Sequence, residues 1–186
     1  AHYRVLGVDI SPQMIALARK RVPDAEFRIS SLFKVDIPPC NAVTSISECF
    51  NYLFDSDNDS KILLQLFHRI YNALTPGGVL LFDIAEPGQV TPENITKGFT
   101  EGKDWVVLVE KEEDREQKIL TRRIITFRKV GECYRRAEEV HRLRLYKSSD
   151  IVTKLRQIGF EVQTMRSYGE YYLPKAHAVF IARKPV

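Results

Sequence analysis

Two hydrophobic periods run along this chain, and they change places near its middle. Residues 3–8 (YRVLGV) are apolar and strand-like. From Pro12 to Arg21, Met14, Ile15, Leu17 and Ala18 fall on one helical stripe, with Pro12 near the helix start, where it is tolerated. Short strands are predicted at 25–29 and 42–47. Residues 59–74 carry Ile62, Leu63, Leu66, Phe67, Ile70 and Leu74 at three- and four-residue spacings, which predicts an amphipathic helix. The turn-forming TPGG stops it, and VLLFDIA (79–85) reads as a fully buried strand. Strands that alternate with helices and are apolar throughout predict a parallel sheet with helices on both faces.

After Pro87 the period shortens. Residues 88–103 read as a loop or short helix. Three long strand-like runs follow, 104–111, 118–128 and 133–146, separated by the polar EEDREQ and VGE. Turns this short predict an antiparallel meander. Residues 148–158 return to helix, with Ser148 or Ser149 as N-cap and Gly159 just past the end. Strands at 160–167 and 177–183 close the chain. The expected organisation is an α/β core over 1–87, a β-rich insertion over 88–146, and a helix and hairpin over 147–186 that complete the core.

Composition adds little to this picture. The 186 residues, 44% apolar and 28% charged, suit one globular domain. Cys40, Cys49 and Cys133 have neither zinc spacing nor the density of a disulfide framework. No segment approaches the apolar length of a membrane span, and no charged-then-apolar leader precedes the first strand, so a cytoplasmic protein is expected. The net charge of +4 is unevenly spread: residues 111–147 hold twelve Lys/Arg against seven Asp/Glu. Such a segment is either a solvated face of exposed strands or an attractor of nucleic acid or an anionic small substrate.

In doubly wound sheets, ligands sit beyond the carboxyl ends of the strands. Asp9 ends the first strand, where it could accept hydrogen bonds from ribose hydroxyls; preceding Ser11-Pro12, it could equally cap the next helix. The ordering of parts goes further. VLGVDISPQMIALAR, LTPGGVLLFDI and IGFEV…HAVFIARKP resemble successive segments of the class I S-adenosylmethionine-dependent methyltransferases, and ECFNYLFD and EEVHRLRLYKSSDI resemble parts of a bacterial small-molecule subgroup with an inserted antiparallel sheet. The resemblance implies a Rossmann-like sheet with a closing antiparallel hairpin, S-adenosyl-L-methionine as cofactor, and methyl transfer to an N or O nucleophile of a small molecule. It also implies that the chain starts at the family's second strand, without the first strand and glycine-rich loop. Cofactor binding that is weak or absent, and association through the exposed edges of YRVLGV and AVTSIS, are then expected.

The same resemblance distributes roles. Asp9 would hold the cofactor ribose, Ile10 and Leu32 would flank the adenine, and Ser31 stands where the family often has an acid for the adenine amine. Ser47, Glu48, Asn51 and Tyr52 follow the fourth strand, beside the transferable methyl; Ser47 would face the cofactor and Asn51 and Tyr52 the substrate. In the insertion, Trp105 and Arg144 would touch substrate. His141 and Tyr146, with Glu48, would lie at the reacting atoms, His141 being the usual type of general base. Cys49 has no His close in sequence and is not read as a nucleophile. The four histidines lack metal-ligand spacing, so no metal is expected. Two other readings remain: an RNA methyltransferase using the basic insertion, and an inactive fragment that serves only in association. A nicotinamide oxidoreductase is disfavoured by the closing hairpin.

Overall fold

The computed structural model describes residues 3–55, 60–90 and 95–186. The chain runs β1 (Leu6–Asp9), α1 (Pro12–Arg21), β2 (Glu26–Ile29), β3 (Cys40–Ser45), a one-turn 3-10 helix (Cys49–Asn51), α2 (Ser60–Ala73) and β4 (Leu74–Ala85). The inserted strands are β5 (Thr96–Gly102), β6 (Trp105–Asp114), β7 (Ile119–Val130) and β8 (Cys133–Arg144). Then come α3 (Ser148–Ile158), β9 (Glu161–Met165), the two-residue β10 (Ser167–Tyr168) and β11 (Tyr171–Tyr172), and β12 (His177–Arg183).

The central sheet has the order β3-β4-β12-β9, with β3 parallel to β4, and β12 antiparallel to both β4 and β9. Strand alternation sorts its side chains. Leu80, Phe82 and Ile84 of β4, with Ala178, Phe180 and Ala182 of β12, pack against Leu63, Leu66, Phe67 and Ile70 of α2 and Ile151 and Leu155 of α3. The Phe82 and Phe180 rings stack 4.8 Å apart. The alternate residues Asp83, Ala85, His177 and Val179 are also buried, but away from the helices. An acid and a histidine are thereby placed on the one face of the sheet that can form a site.

β1 and β2 form a separate parallel pair. Among the described residues β1 has only β2 as partner and β3 only β4. A sheet two strands wide covers a helix poorly. Of the stripe expected on α1, Ile15 is buried while Met14 and Leu17 stay exposed.

The insertion is a four-stranded meander in the order β5-β6-β7-β8. Residues 96–102, expected as loop or short helix, form β5. TKGFTEG has two glycines and no alternation of strong strand-formers, so its conformation comes from pairing with β6 across a tight turn. Two further differences are local. TPGG lies inside β4, where Gly77 takes φ +75° and the register slips between Cys40 and Ala42. The N-cap of α3 is Lys147, and Glu86 reaches across from the end of β4 to accept from the Ser148 N–H and hydroxyl.

The meander is fixed to the core at one end. Ala85, Val90, Leu120, Leu143 and Leu145 form a second buried cluster, with Tyr52 against it. Asn51, fully buried, ties the joint. Its Nδ2 donates to the carbonyls of Ala85 (2.9 Å) and Arg144 (2.6 Å), and its Oδ1 accepts from the Ala85 N–H (3.1 Å). One side chain thus satisfies backbone groups of β4 and β8. Asn51→Ala leaves the Ala85 N–H and the Arg144 carbonyl unpaired, while the Ala85 carbonyl keeps the Tyr146 N–H. At about 1–3 kcal/mol for each lost partner, a loss of about 2 kcal/mol or more is expected in denaturant titration. A loss under about 1 kcal/mol would show that the joint does not depend on Asn51.

Candidate functional site

After β3 the chain makes a turn that ordinary residues avoid. Ser47 (φ 73°) and Glu48 (φ 52°) are both left-handed, and neither is glycine. Conformations of this kind cost on the order of 1–3 kcal/mol each. Asp83 holds the turn: its Oδ2 accepts from the Ser47 N–H (3.1 Å) and its Oδ1 from the Glu48 N–H (2.5 Å). The Tyr168 hydroxyl donates to the same carboxylate at 2.6 Å. Burial, and then the bond to Asp83 and its charge, raise the Tyr168 phenol well above its ordinary value, so it stays protonated.

Held this way, Glu48 projects between the core and the inserted sheet. Arg122 of β7 grips it with Nη1 on Oε2 (3.3 Å) and Nη2 on Oε1 (3.0 Å). On the core side, His177 Nε2 lies 2.6 Å from Oε1. Burial alone would raise the Glu48 carboxyl; the hydrogen bonds from His177 and Arg122, with their charges, reverse this and hold it at about 2. His177 Nδ1 sits 3.0 Å from the Lys175 carbonyl, which can only accept. Both ring nitrogens therefore donate, and the ring is an imidazolium. Burial opposes that charge, but the bonds to Glu48 and Lys175 prevail and raise the imidazole above 6.5.

The inserted sheet presents a row to this cluster. Lys111, Arg122 and His141 are register partners on β6, β7 and β8. Burial, then Arg122, lower the Lys111 ammonium, with Glu48 opposing. His141 Nε2 lies 3.0 Å from Glu139 Oε2, and its ring meets Tyr52 edge-on at 5.6 Å. Trp105 is on the same face but six register steps from this row, about 20 Å along the strand. Arg144 alternates onto the face opposite His141. Tyr146 lies beyond β8, half-buried against the helix-side core rather than in the row. Asn51 is taken up by the backbone contacts described above.

On the other side, Asp9 Oδ1 accepts from the Ser11 N–H at 2.7 Å, while the Ser11 hydroxyl caps α1 by accepting from Met14 N–H. Asp9 thus braces the cap, and its Oδ2 has no partner among the described residues. The Cys49 thiol, raised by burial, also feels Asp83, Asp9 and Glu48, so these carboxylates converge at the carboxyl ends of β1, β3 and β4. It donates to the Ile46 carbonyl at 3.1 Å. Ile10 is partly exposed and Leu32 packs on the core. The Ser31 hydroxyl donates to Asp55 at 2.6 Å and accepts from Phe33 N–H, so Asp55 brings an acid to the place where Ser31 stands. Among the described residues no group of three or more His, Cys, Asp or Glu could hold a metal ion.

Reading the chain alone missed Asp83, Arg122, Tyr168 and His177. Two carried a signal. Asp83 interrupts an otherwise apolar buried strand, and a buried charge needs partners. His177 opens the last apolar strand in the same way. Arg122 sits in a basic run where nothing distinguishes it, and Tyr168 meets Asp83 only through the fold.

The Glu48–His177 pair has a pH signature. The raised His177 contributes stability fully below 6.5 and loses it as pH rises through its folded value. The lowered Glu48 contributes above 4.5 and loses it as pH falls toward about 2. Thermal stability is therefore expected to be highest between about 4.5 and 6.5, and His177→Gln should flatten the limb above 6.5. An unaltered alkaline limb in that variant would contradict the pairing.

Residues 1–78 match the family model of a methyltransferase domain. A sequence search of curated proteins finds no match. Among solved structures, an S-adenosylmethionine-dependent methyltransferase from Clostridium acetobutylicum superposes with a TM-score of 0.83 at 20% identity, covering 99% of this chain and 76% of that one. A sugar N-methyltransferase from Streptoalloteichus gives 0.74 at 20% identity, covering 97% and 71%. An amino pentose methyltransferase from Micromonospora echinaspora, with S-adenosylmethionine bound, gives 0.76 at 17% identity, covering 97% and 74%. The strand–helix–strand segment that carries Asp9 thus lies within the stretch that matches the methyltransferase-domain model, and the chain as a whole has the fold seen in the S-adenosylmethionine-dependent methyltransferases.

Proposed function

We propose that this protein transfers a methyl group from S-adenosyl-L-methionine to an amine or hydroxyl of a small molecule. The observation that carries the reading is the Asp83-held turn after β3, which sets Glu48 against Arg122 of the inserted sheet, together with Asp9 at the carboxyl end of β1. The free Asp9 Oδ2 fits an acceptor for ribose hydroxyls, and Ser31 with Asp55 offers polar groups beyond it. When bound, the cofactor supplies an electrophilic methyl on a sulfonium, so the protein needs no nucleophile of its own. Support for a small acceptor comes from the sugar and amino pentose named for two of the structural neighbours.

The residues then divide the remaining work. Glu48 is a poor proton acceptor, because Arg122 and His177 keep it ionised down to about 2. Its role is to fix those two groups at the floor of the site. His141 is the better base: Glu139 orients its Nε2, and its Nδ1 has no partner among the described residues. It would take the proton that an attacking ammonium or hydroxyl must lose. The meander, anchored through Asn51 and Leu143, would wall the acceptor from water.

Two measurements test this. Asp9→Ala removes a charge-assisted acceptor worth about 1.5–3 kcal/mol, so S-adenosylhomocysteine affinity should fall about tenfold to a hundredfold in calorimetric titration with the fold intact. Unchanged affinity would leave Asp9 as a brace for the helix cap. His141→Gln should lower kcat by about 10²–10⁴ while sparing cofactor affinity. Normal turnover in that variant would remove His141 from the chemistry.

A further inference from the structure

A cleft of about 620 Å³, which the proposed chemistry does not use, has His177 on its wall. Its walls come from the end of β4, the root of the insertion and the connection into β12, with Glu86, Val90, Arg115, Arg166, Lys175 and His177 on its surface. Four of these six are cationic or imidazole side chains, and Glu86 is the single carboxylate among them. Glu86 is already satisfied: it accepts from the Ser148 N–H and hydroxyl and pairs with Arg166. Arg115 uses one N–H on the Val90 carbonyl, at 3.3 Å. The Lys175 ammonium has no partner among the described residues. The His177 ring adds basic character to the wall, since Glu48 and the Lys175 carbonyl raise it above its ordinary value, but both its nitrogens are taken up by those partners.

From the unmatched donors of Arg115 and Lys175 on a cavity wall with no unpaired carboxylate among the residues that line it, we infer that the cleft binds an oxyanion, a phosphate or carboxylate group carried by the methyl acceptor. Arg115 and Lys175 are the recognising groups. Arg115 presents a planar fork suited to two oxygens, and Lys175 a mobile point charge. Arg166 and Glu86 brace the wall by holding each other and the His177 carbonyl. The role as an anchor for the acceptor rests on the methyltransferase reading; the anion site does not. The basic character of residues 111–147 is then not only a solvated face, since Arg115 is turned into a cavity at the root of the sheet.

The test uses the full chain, with inorganic phosphate and acetate as probes at constant ionic strength, so that general screening does not change. Calorimetry should show saturable binding of at least one probe. Arg115→Met and Lys175→Met should each weaken it about tenfold and the double variant should abolish it. Lys103→Met, at the far end of the meander, should leave it unchanged. Preference for phosphate points to a phosphorylated acceptor, and preference for acetate to a carboxylated one. Binding that is absent, or equally strong in the double variant, overturns the site. S-adenosylhomocysteine titrated in parallel separates the two ideas. If phosphate or acetate binds as expected but S-adenosylhomocysteine binds equally well to the wild type and to Asp9→Ala, the cofactor assignment and the anchoring role fall while the anion site stands.

Discussion

The Asp83 carboxylate is the interaction on which the site depends. It is buried, it accepts two successive backbone N–H groups, and it stabilises a turn that Ser47 and Glu48 would not adopt alone. Only from that turn can Glu48 meet both His177 on the central sheet and Arg122 on the inserted one. A buried acid would be costly without partners. Here three donors surround it, and the strain they offset sets the direction of the next carboxylate. The helix face of the same sheet is apolar and could be built by many sequences. The opposite face, with Asp83 and His177 in register-adjacent strands, is where the candidate site lies.

The inserted sheet is joined to this core by two different means. Asn51, Leu53 and the Leu120–Leu143 cluster fix its root mechanically. The Arg122–Glu48 pair fixes its face electrostatically. The pair is part-buried, so removing one partner leaves the other charge poorly compensated. Lys111 and His141 inherit their positions from Arg122 through strand register. A row of basic groups is thereby set against Glu48.

Much of the fold was legible in the chain. The stripe on α2 and the continuous apolar run of β4 gave the helix-covered sheet, and polar turns gave the meander. β5 was not legible, because its glycines and threonines follow no period and its pairing is imposed by β6. At the site, Asp9 and Glu48 could be found from their places after strands. His177 and Asp83 were hidden in strands read as core, although a charged or titratable residue in an apolar run is itself a signal. Asn51 shows the opposite error. A polar residue in a promising loop suggested substrate contact, whereas its amide closes backbone hydrogen bonds between two elements. Sequence position told where polar groups gather, but not whether they face a ligand or the chain.

The central claim is that Asp83 sets Glu48 as a permanently ionised anchor between His177 and Arg122. The most direct test is a carbon-13 titration of the Glu48 side-chain carboxyl by nuclear magnetic resonance in the folded protein. The expected midpoint is about 2, with loss of the chemical-shift separation as the protein unfolds. A midpoint near the ordinary 4.5 would show that neither His177 nor Arg122 holds the carboxylate, and the account of the site would not stand.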